Sequence, residues 1–203
     1  MSKKPVIVFE GIEGSGKSLH ISNVSNYLKK KKIDHIKIRE PGGSINSEKI
    51  RKIILNNKSS FNRETDLLLY LASRSENISL LMKYYKEKII LIDRFIDSTI
   101  AYQHYGLGVN INLISTINKY LLKKFKVDFT FLNIVSNKNM SKRLKSRKKL
   151  NRYDRFDKKF YQNVQKGFLK ISNKNSNKYQ IINSNLDINT NKSIIIKKIE
   201  KLI

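Results

Sequence analysis

Eight consecutive residues near the amino terminus have the types and spacing of a phosphate-binding loop. They match the pattern G-x-x-x-x-G-K-[ST] and are Gly11, Ile12, Glu13, Gly14, Ser15, Gly16, Lys17 and Ser18. In such a loop, backbone N–H groups and a helix N-terminus face the phosphates, the lysine reaches the β- and γ-phosphates, and the hydroxyl ligates Mg²⁺. We therefore expect bound phosphate and Mg²⁺ here. A glycine-rich turn that binds nothing is the alternative.

Asp93 and Arg94 follow the apolar run at residues 89–92. In proteins with a phosphate-binding loop, the Walker-B acid stands at this place, at the end of an apolar strand. A carboxylate at that place orients Mg²⁺, so Ser18 and Asp93 are the candidate metal residues. Arg94 offers a guanidinium fork, which suits phosphate better than a lysine does. The alternatives are a salt-bridged acid at a strand end and an ordinary surface arginine.

Three further regions carry residues that suit an anionic or base-bearing ligand. Arg39 and Pro41 lie in a glycine-containing loop, and Arg74 lies among apolar neighbours, where a buried arginine needs an anion or several acceptors. Helical spacing places four polar residues on one face, namely Ser98, Thr99, Tyr102 and Gln103. That face can read the edge of a nucleobase, because the amide offers both a donor and an acceptor. Ordinary helix polarity is the alternative.

A run of lysines and arginines occupies residues 137–156, which we call the lid segment. We interpret it as a mobile lid that closes over ATP and supplies an arginine to the transition-state charge. The reason is that the phosphate-binding loop contains no arginine, so the charge must come from elsewhere. Arg147 and Arg152 are the candidates. A solvated helix face and a nucleic-acid patch are the alternatives.

The composition bounds the class of protein. The chain has 203 residues, no cysteine and a formal net charge of +26. It contains no apolar stretch of the ~18 residues that a membrane span requires, so we expect a cytoplasmic protein with no membrane partner. The positive charge alone suggests nucleic acid. Because lysine, asparagine and isoleucine are enriched together along the chain, AT-rich codon bias explains it better, and we expect no specific nucleic-acid partner.

Strand-like and helix-like segments alternate along the whole chain. The strands are predicted at residues 5–10, 35–39, 88–92, 128–132 and 179–182. Helices are predicted between them, one near residues 98–104, and at the carboxyl terminus over residues 187–203. This order predicts one α/β domain over residues 1–203, with a five-stranded parallel sheet and helices on both faces. Ligands of such sheets bind beyond the carboxyl ends of the strands, which is where the phosphate-binding loop, Arg39 and Asp93 lie.

Taken in order, these segments resemble the bacterial thymidylate kinases. The matching segments are residues 9–18, 39–44, 69–74, 93–95 and 98–103, and the resemblance spans nearly the whole chain. It implies a P-loop NTPase fold, transfer of phosphate from ATP to dTMP with Mg²⁺ to give dTDP, and a homodimer. The residues that the resemblance assigns to dTMP are Glu10, Arg39, Pro41, Arg74, Arg94, Ser98, Thr99, Tyr102 and Gln103.

The resemblance also implies individual roles. Arg74 and Gln103 contact the thymine base, Arg39 and Arg94 hold the phosphate of dTMP, and Glu10 lies near the 3′-hydroxyl or the Mg²⁺. The catalytic residues are Lys17, Arg94, Arg147 and Arg152. Two rivals stay open at this point. A deoxynucleoside kinase would need a carboxylate base near a sugar hydroxyl, a place that Glu40 or Glu10 could take, and a nucleic-acid-binding P-loop protein would use the basic surface.

Overall fold

A five-stranded parallel sheet organises the fold in a computed structural model that describes residues 4–147 and 150–203. The strands are β1 (Val6–Gly11), β2 (His35–Arg39), β3 (Ile89–Asp93), β4 (Phe129–Ile134) and β5 (Tyr179–Asn183). They lie in the order β2-β3-β1-β4-β5, and every pairing is parallel. The expected five-stranded parallel sheet is confirmed.

Eight α-helices occupy the described residues. They are α1 (Lys17–Lys30), α2 (Ile45–Leu55), α3 (Arg63–Tyr84), α4 (Ile96–Thr99), α5 (Ile111–Leu122), α6 (Asn137–Lys145), α7 (Lys158–Lys174) and α8 (Ile188–Leu202). A π-helical segment, Ile100–Gly106, continues α4, and short 3-10 helices span Arg152–Arg155 and Ser176–Lys178. None of the helices in residues 4–147 and 150–203 has the length and apolar character to cross a membrane.

The central strands are buried on both faces because their residues are apolar without alternation. In β1, Ile7 and Phe9 pack into one apolar cluster with α1 and α8, and Val6 and Val8 pack into another on the opposite face. Such strands occupy the middle of parallel sheets that are covered by helices on both sides. The core therefore fixes where β1 and β3 end, and those ends carry the loop residues and Asp93.

One helix differs from its prediction. The pattern at residues 98–104 predicts an α-helix, but the helix begins at Ile96 and changes to π-helical hydrogen bonding from Ile100 to Gly106. A π-turn inserts extra backbone between side chains, which hydrophobic periodicity does not reveal. In the lid segment, the structure describes α6 and the turn at Arg152–Arg155. Lys148 and Lys149, which the sequence assigns to the basic lid, lie outside the described residues.

Candidate active site

A cleft lies beyond the carboxyl ends of β1, β2 and β3, with a cavity volume of about 200 Å³. Its lining residues are Glu13, Lys17, Ser18, Arg39, Glu40, Pro41, Arg51, Leu55, Tyr70, Asp93, Arg94, Ser98, Tyr102, Gln103, Arg147, Asn151 and Tyr153. Cationic side chains and the phosphate-binding loop share this cleft with three tyrosines and two amides. The arrangement suits a ligand that has phosphate at one end and an aromatic base at the other.

The phosphate-binding loop has the backbone that its glycines predict. Gly11 has φ +138°, and a Cβ built there would lie 2.2 Å from the carbonyl oxygen of Asn133 on β4. Only glycine therefore allows β1 and β4 to approach here. Arg143 of α6 secures the loop from outside, because it donates to the carbonyl oxygens of Gly14 at 2.8 Å and Ser184 at 2.7 Å.

Lys17 is buried within the loop that it serves. Its Nζ donates to the Ile12 carbonyl oxygen at 2.8 Å and to Ser15 Oγ at 3.3 Å. Burial, followed by the nearby Arg94 guanidinium, lowers the pKa of Lys17 to about 7. An arriving polyphosphate would favour the charged lysine, so the charge of this group depends on the ligand.

Ser18 and Asp93 meet at the head of α1. Ser18 Oγ donates to Asp93 Oδ2 at 2.9 Å, although 75 residues separate them in sequence. Across residues 4–147 and 150–203, no cluster of three or more metal-ligating side chains occurs. A hydroxyl and one carboxylate nevertheless fit Mg²⁺, which commonly takes few protein ligands and completes its shell with phosphate and water.

Arg94 is held in position by contacts on several sides. It adopts the left-handed backbone region, with φ 66°, directly after Asp93. Its guanidinium donates to the Gly11 carbonyl oxygen at 3.0 Å and to Glu13 Oε1 at 2.8 Å. Tyr102 accepts from it at 3.2 Å and donates to the other oxygen of Glu13. This network aims a fixed cation at the cleft.

The structure brings Glu13 into the cleft and keeps Glu10 out of it. Burial disfavours the charge of Glu13, but Arg94 and Lys17 outweigh burial and hold the pKa of this carboxyl below its usual value. Glu10 is fully buried and does not line the cleft. Burial, then the neighbouring Asp97, raises its pKa to about 7. Of the two acids, Glu13 is thus the one placed to meet a ligand hydroxyl.

Glu10 supports the segment that carries Arg94. Its Oε1 accepts from the backbone N–H of Phe95 at 2.8 Å and of Ser98 at 3.2 Å, and its Oε2 accepts from Ser98 Oγ at 2.5 Å. These bonds fasten the start of α4 to the end of β1. Glu10 therefore helps to fix where Arg94 lies, and the place near the 3′-hydroxyl or the Mg²⁺ that the resemblance implies for it stays a prediction.

Arg74 and Thr99 also lie behind the cleft instead of lining it. Arg74 is 1% exposed, and its three nitrogens donate to Glu40 at 2.8 Å, Asn118 at 2.7 Å and Thr99 at 3.0 Å. Each of these hydrogen bonds goes to another side chain of the protein. The expectation that a buried arginine needs several acceptors is met by the protein itself. The contact that the resemblance implies between Arg74 and thymine stays a prediction.

Arg39 and Pro41 line the cleft from the loop after β2. The guanidinium of Arg39 pairs with Glu48 Oε2 at 3.1 Å, with 54% of its side chain exposed. Arg51 of α2 donates to the Pro41 carbonyl oxygen at 2.6 Å, which places a further cation beside Arg39. The end of β2 and helix α2 therefore each contribute one arginine to the cleft.

The lid segment distributes its arginines unequally. Arg147 lines the cleft and pairs with Asp154 Oδ1 at 2.8 Å. Arg152 does not line the cleft; it pairs with Asp66 of α3 and donates to the Ile54 carbonyl oxygen at 3.0 Å. Arg155 donates to the Asn57 carbonyl oxygen at 3.3 Å. Arg147 is thus the lid arginine positioned to meet a ligand, and Arg152 anchors the segment.

Several residues line the cleft although the sequence predicts no part for them in binding dTMP or ATP or in phosphoryl transfer. They are Glu40, Arg51, Leu55, Tyr70, Asn151 and Tyr153. A signal existed for two of them. Glu40 stands beside Arg39, and Tyr70 precedes Arg74 by four residues and so shares its helix face. Asn151 and Tyr153 belong to an irregular turn, for which periodicity offers no guide.

Three comparisons agree on the family. The family model for thymidylate kinase matches residues 9–195. The thymidylate kinase of Thermosipho africanus is 39% identical over 168 residues, covering 82% of this chain and 83% of that protein. The thymidylate kinase of Acholeplasma laidlawii is 37% identical and covers 96% and 98% of the two chains.

A solved structure extends the agreement to the whole fold. The crystal structure of thymidylate kinase from Ehrlichia chaffeensis superposes with a TM-score of 0.79 at 30% sequence identity, covering 98% of this chain and 99% of that one. This likeness confirms the P-loop NTPase fold expected from the motifs. With the matched family model and the cleft at the phosphate-binding loop, it follows that this chain belongs to the thymidylate kinase family.

Proposed function

We propose that this protein transfers the γ-phosphoryl group of ATP to dTMP, giving dTDP and ADP. The observation that carries the proposal is the cleft itself, in which the phosphate-binding loop and four arginines share one cavity with tyrosines and Gln103. A nucleoside monophosphate has the matching parts. The anion meets the arginines, and the base meets the aromatic rings and the amide.

The proposed reaction needs little covalent help from the protein. A phosphate oxygen of dTMP bonds to the γ-phosphorus of ATP as the bond from that phosphorus to the β,γ-bridging oxygen breaks. The acceptor phosphate is already anionic near neutral pH, so no general base is required. What the protein supplies is position and positive charge.

The cations of the cleft have distinct places in this mechanism. Lys17 lies in the loop and serves the terminal phosphates of the donor. Arg94 lies between the loop and Ser98, where acceptor phosphate and donor phosphate would meet. Arg147 approaches from the lid segment and balances charge that shifts during transfer.

Ser18 and Asp93 are the residues that would hold Mg²⁺. When bound, the ion would neutralise negative charge on the phosphates of the donor. Glu13, which lines the cleft and accepts from Tyr102 and Arg94, is the carboxylate that we assign to the sugar hydroxyl in place of Glu10. Homodimer formation and a cytoplasmic location, both expected from the sequence, stay predictions.

An acceptor panel tests the proposal. Purified protein with Mg²⁺-ATP is offered dTMP, dUMP, dCMP, dGMP, AMP and thymidine separately, and ADP release is followed. We expect dTMP to give the highest kcat/KM and thymidine to give no turnover. Fast turnover of thymidine without turnover of dTMP would replace the proposal with a deoxynucleoside kinase.

A further inference from the structure

Asp66 is a buried carboxylate behind the cleft that receives donors from two separate parts of the chain. It lies in the first turn of α3, is 1% exposed and does not line the cleft. Its Oδ2 accepts from Gln103 Nε2 at 3.0 Å and from the Tyr153 hydroxyl at 2.5 Å, and its Oδ1 accepts from Arg152. The first donor belongs to the π-helical segment, and the other two belong to the lid segment.

This carboxylate dictates how the Gln103 amide is turned. A carboxylate only accepts hydrogen bonds, so the amide must direct its NH₂ group, and not its oxygen, toward Asp66. The amide oxygen then points elsewhere. Gln103 Oε1 is buried and has no hydrogen-bond partner among the described residues, and Gln103 lines the cleft. A buried acceptor without a partner favours a ligand that donates to it.

We propose that Asp66 is a positioning residue for base selection, which it exerts by holding Gln103 with its acceptor available to the ligand. The inference rests on the proposed function. A base with a ring N–H donor, as thymine has at N3, satisfies Gln103 Oε1. Cytosine presents an acceptor at its N3, and two facing acceptors repel while the buried oxygen stays unsatisfied.

The lid segment depends on the same carboxylate. Tyr153 is 2% exposed and packs edge-on against Tyr70 and Tyr102, with ring centroids 6.0 and 5.8 Å apart. The Tyr153 hydroxyl and Arg152 are the other two donors to Asp66. One carboxylate of α3 therefore both holds the lid segment against α3 and orients the amide of Gln103. Positioning of the base and positioning of the lid segment become linked through Asp66.

The test compares three variants by the ratio of kcat/KM for dTMP to that for dCMP, with dCMP inhibition as a second measure of binding. Asp66→Asn offers one acceptor and two donors, so either orientation of the Gln103 amide finds a partner. Asp66→Glu keeps an acceptor-only group. Glu64→Gln is the matched control, because it removes a carboxylate from the same helix turn at an exposed position.

We expect Asp66→Asn to lower the dTMP-to-dCMP ratio at least about tenfold, the scale of one hydrogen bond to a charged group. Glu64→Gln and Asp66→Glu should keep the ratio within about threefold of wild type, even if Asp66→Glu slows both acceptors. A thermal melt of each variant separates loss of fold from loss of selection. If Asp66→Asn does not fold, Gln103→Leu and Asp66→Glu decide, since the first removes the acceptor and must lower the ratio at least about tenfold, whereas the second keeps an acceptor-only group and must keep the ratio.

Two outcomes would overturn the inference. One is an equal loss for both acceptors in folded Asp66→Asn, which would mean that Asp66 only supports the fold. The other is a tenfold fall of the ratio in Asp66→Glu, or an unchanged ratio in folded Gln103→Leu. Wild-type protein that leaves dTMP unphosphorylated would instead refute the proposed function, and the panel of acceptors shows this before any variant is made.

Discussion

Replacing Arg147 or Arg152 by alanine should impair different properties of the protein, although both are arginines of one short segment. Arg147 lines the cleft, and its ion pair in the described structure is with Asp154 at 2.8 Å. Arg152 is held by Asp66 and Ile54 and stacks over Phe61, with 5.1 Å between its guanidinium carbon and the ring centroid. We expect Arg147→Ala to impair catalysis and Arg152→Ala to impair stability.

The magnitudes follow from these surroundings. Loss of a preorganised charge at a reacting phosphate costs on the order of 10³ in kcat, or about 4 kcal/mol at 1.36 kcal/mol per tenfold. Arg147 is 38% exposed along its side chain, but the Asp154 carboxyl that it pairs with is buried and among the described residues keeps only the Asn151 N–H as donor, so its removal should cost about 1–2 kcal/mol of stability, less than removal of Arg152. The side chain of Arg152 is 13% exposed, and its removal leaves the carboxylate of Asp66 short of a donor. We expect about 3 kcal/mol, or a Tm lower by roughly 6–12 °C for a chain of this size.

Steady-state kinetics with dTMP and Mg²⁺-ATP and a thermal melt give both readouts for each variant. Arg155→Ala is the matched control, since this lid arginine contacts one exposed carbonyl oxygen at 3.3 Å and does not line the cleft. It should stay within about threefold in kcat. The reasoning is refuted if Arg152→Ala loses kcat on the order of 10³ while Arg147→Ala keeps it.

Three further perturbations test the supporting structure. Because the pKa of unliganded Lys17 is about 7 and bound phosphate favours the charged lysine, ATP affinity should fall as the pH rises above 7. Calorimetry at pH 8 should show net proton uptake on ATP binding, and Lys17→Arg should abolish it. Gly11→Ala should cost about 3 kcal/mol or more in urea unfolding, since its Cβ would lie 2.2 Å from a carbonyl oxygen, whereas Gly108→Ala, with 3.6 Å of clearance, should cost about 1 kcal/mol. Glu40→Gln leaves buried Arg74 without its anion and should cost about 3–5 kcal/mol; a loss below about 1 kcal/mol would contradict that role.

Local sequence patterns predict the scaffold well because each rests on local physics. The apolar run at residues 89–92 becomes β3, and Ser44 caps α2 by accepting from the Ser47 N–H at 3.3 Å. The phosphate-binding loop is predictable because its glycines and Lys17 act within eight consecutive residues. These features need no knowledge of what packs against them.

The sequence does not show in the same way which residues line the cleft and which support it from behind. Glu10 and Glu13 are the same residue type three positions apart, yet Glu10 lies in β1 and accepts from the Phe95 N–H, whereas Glu13 lies in the loop beside Arg94. Arg74 finds its acceptors 34 and 44 residues away. Such partners are set by tertiary packing, which spacing along one helix does not encode.

The transfer of label from [γ-³²P]ATP to dTMP tests the central claim most directly. With wild-type protein and Mg²⁺, we predict that radioactivity appears in dTDP at a rate that matches ADP release. Lys17→Ala should lower that rate on the order of 10³. Label that appears only in inorganic phosphate, or transfer that Lys17→Ala leaves within tenfold of wild type, would contradict the account.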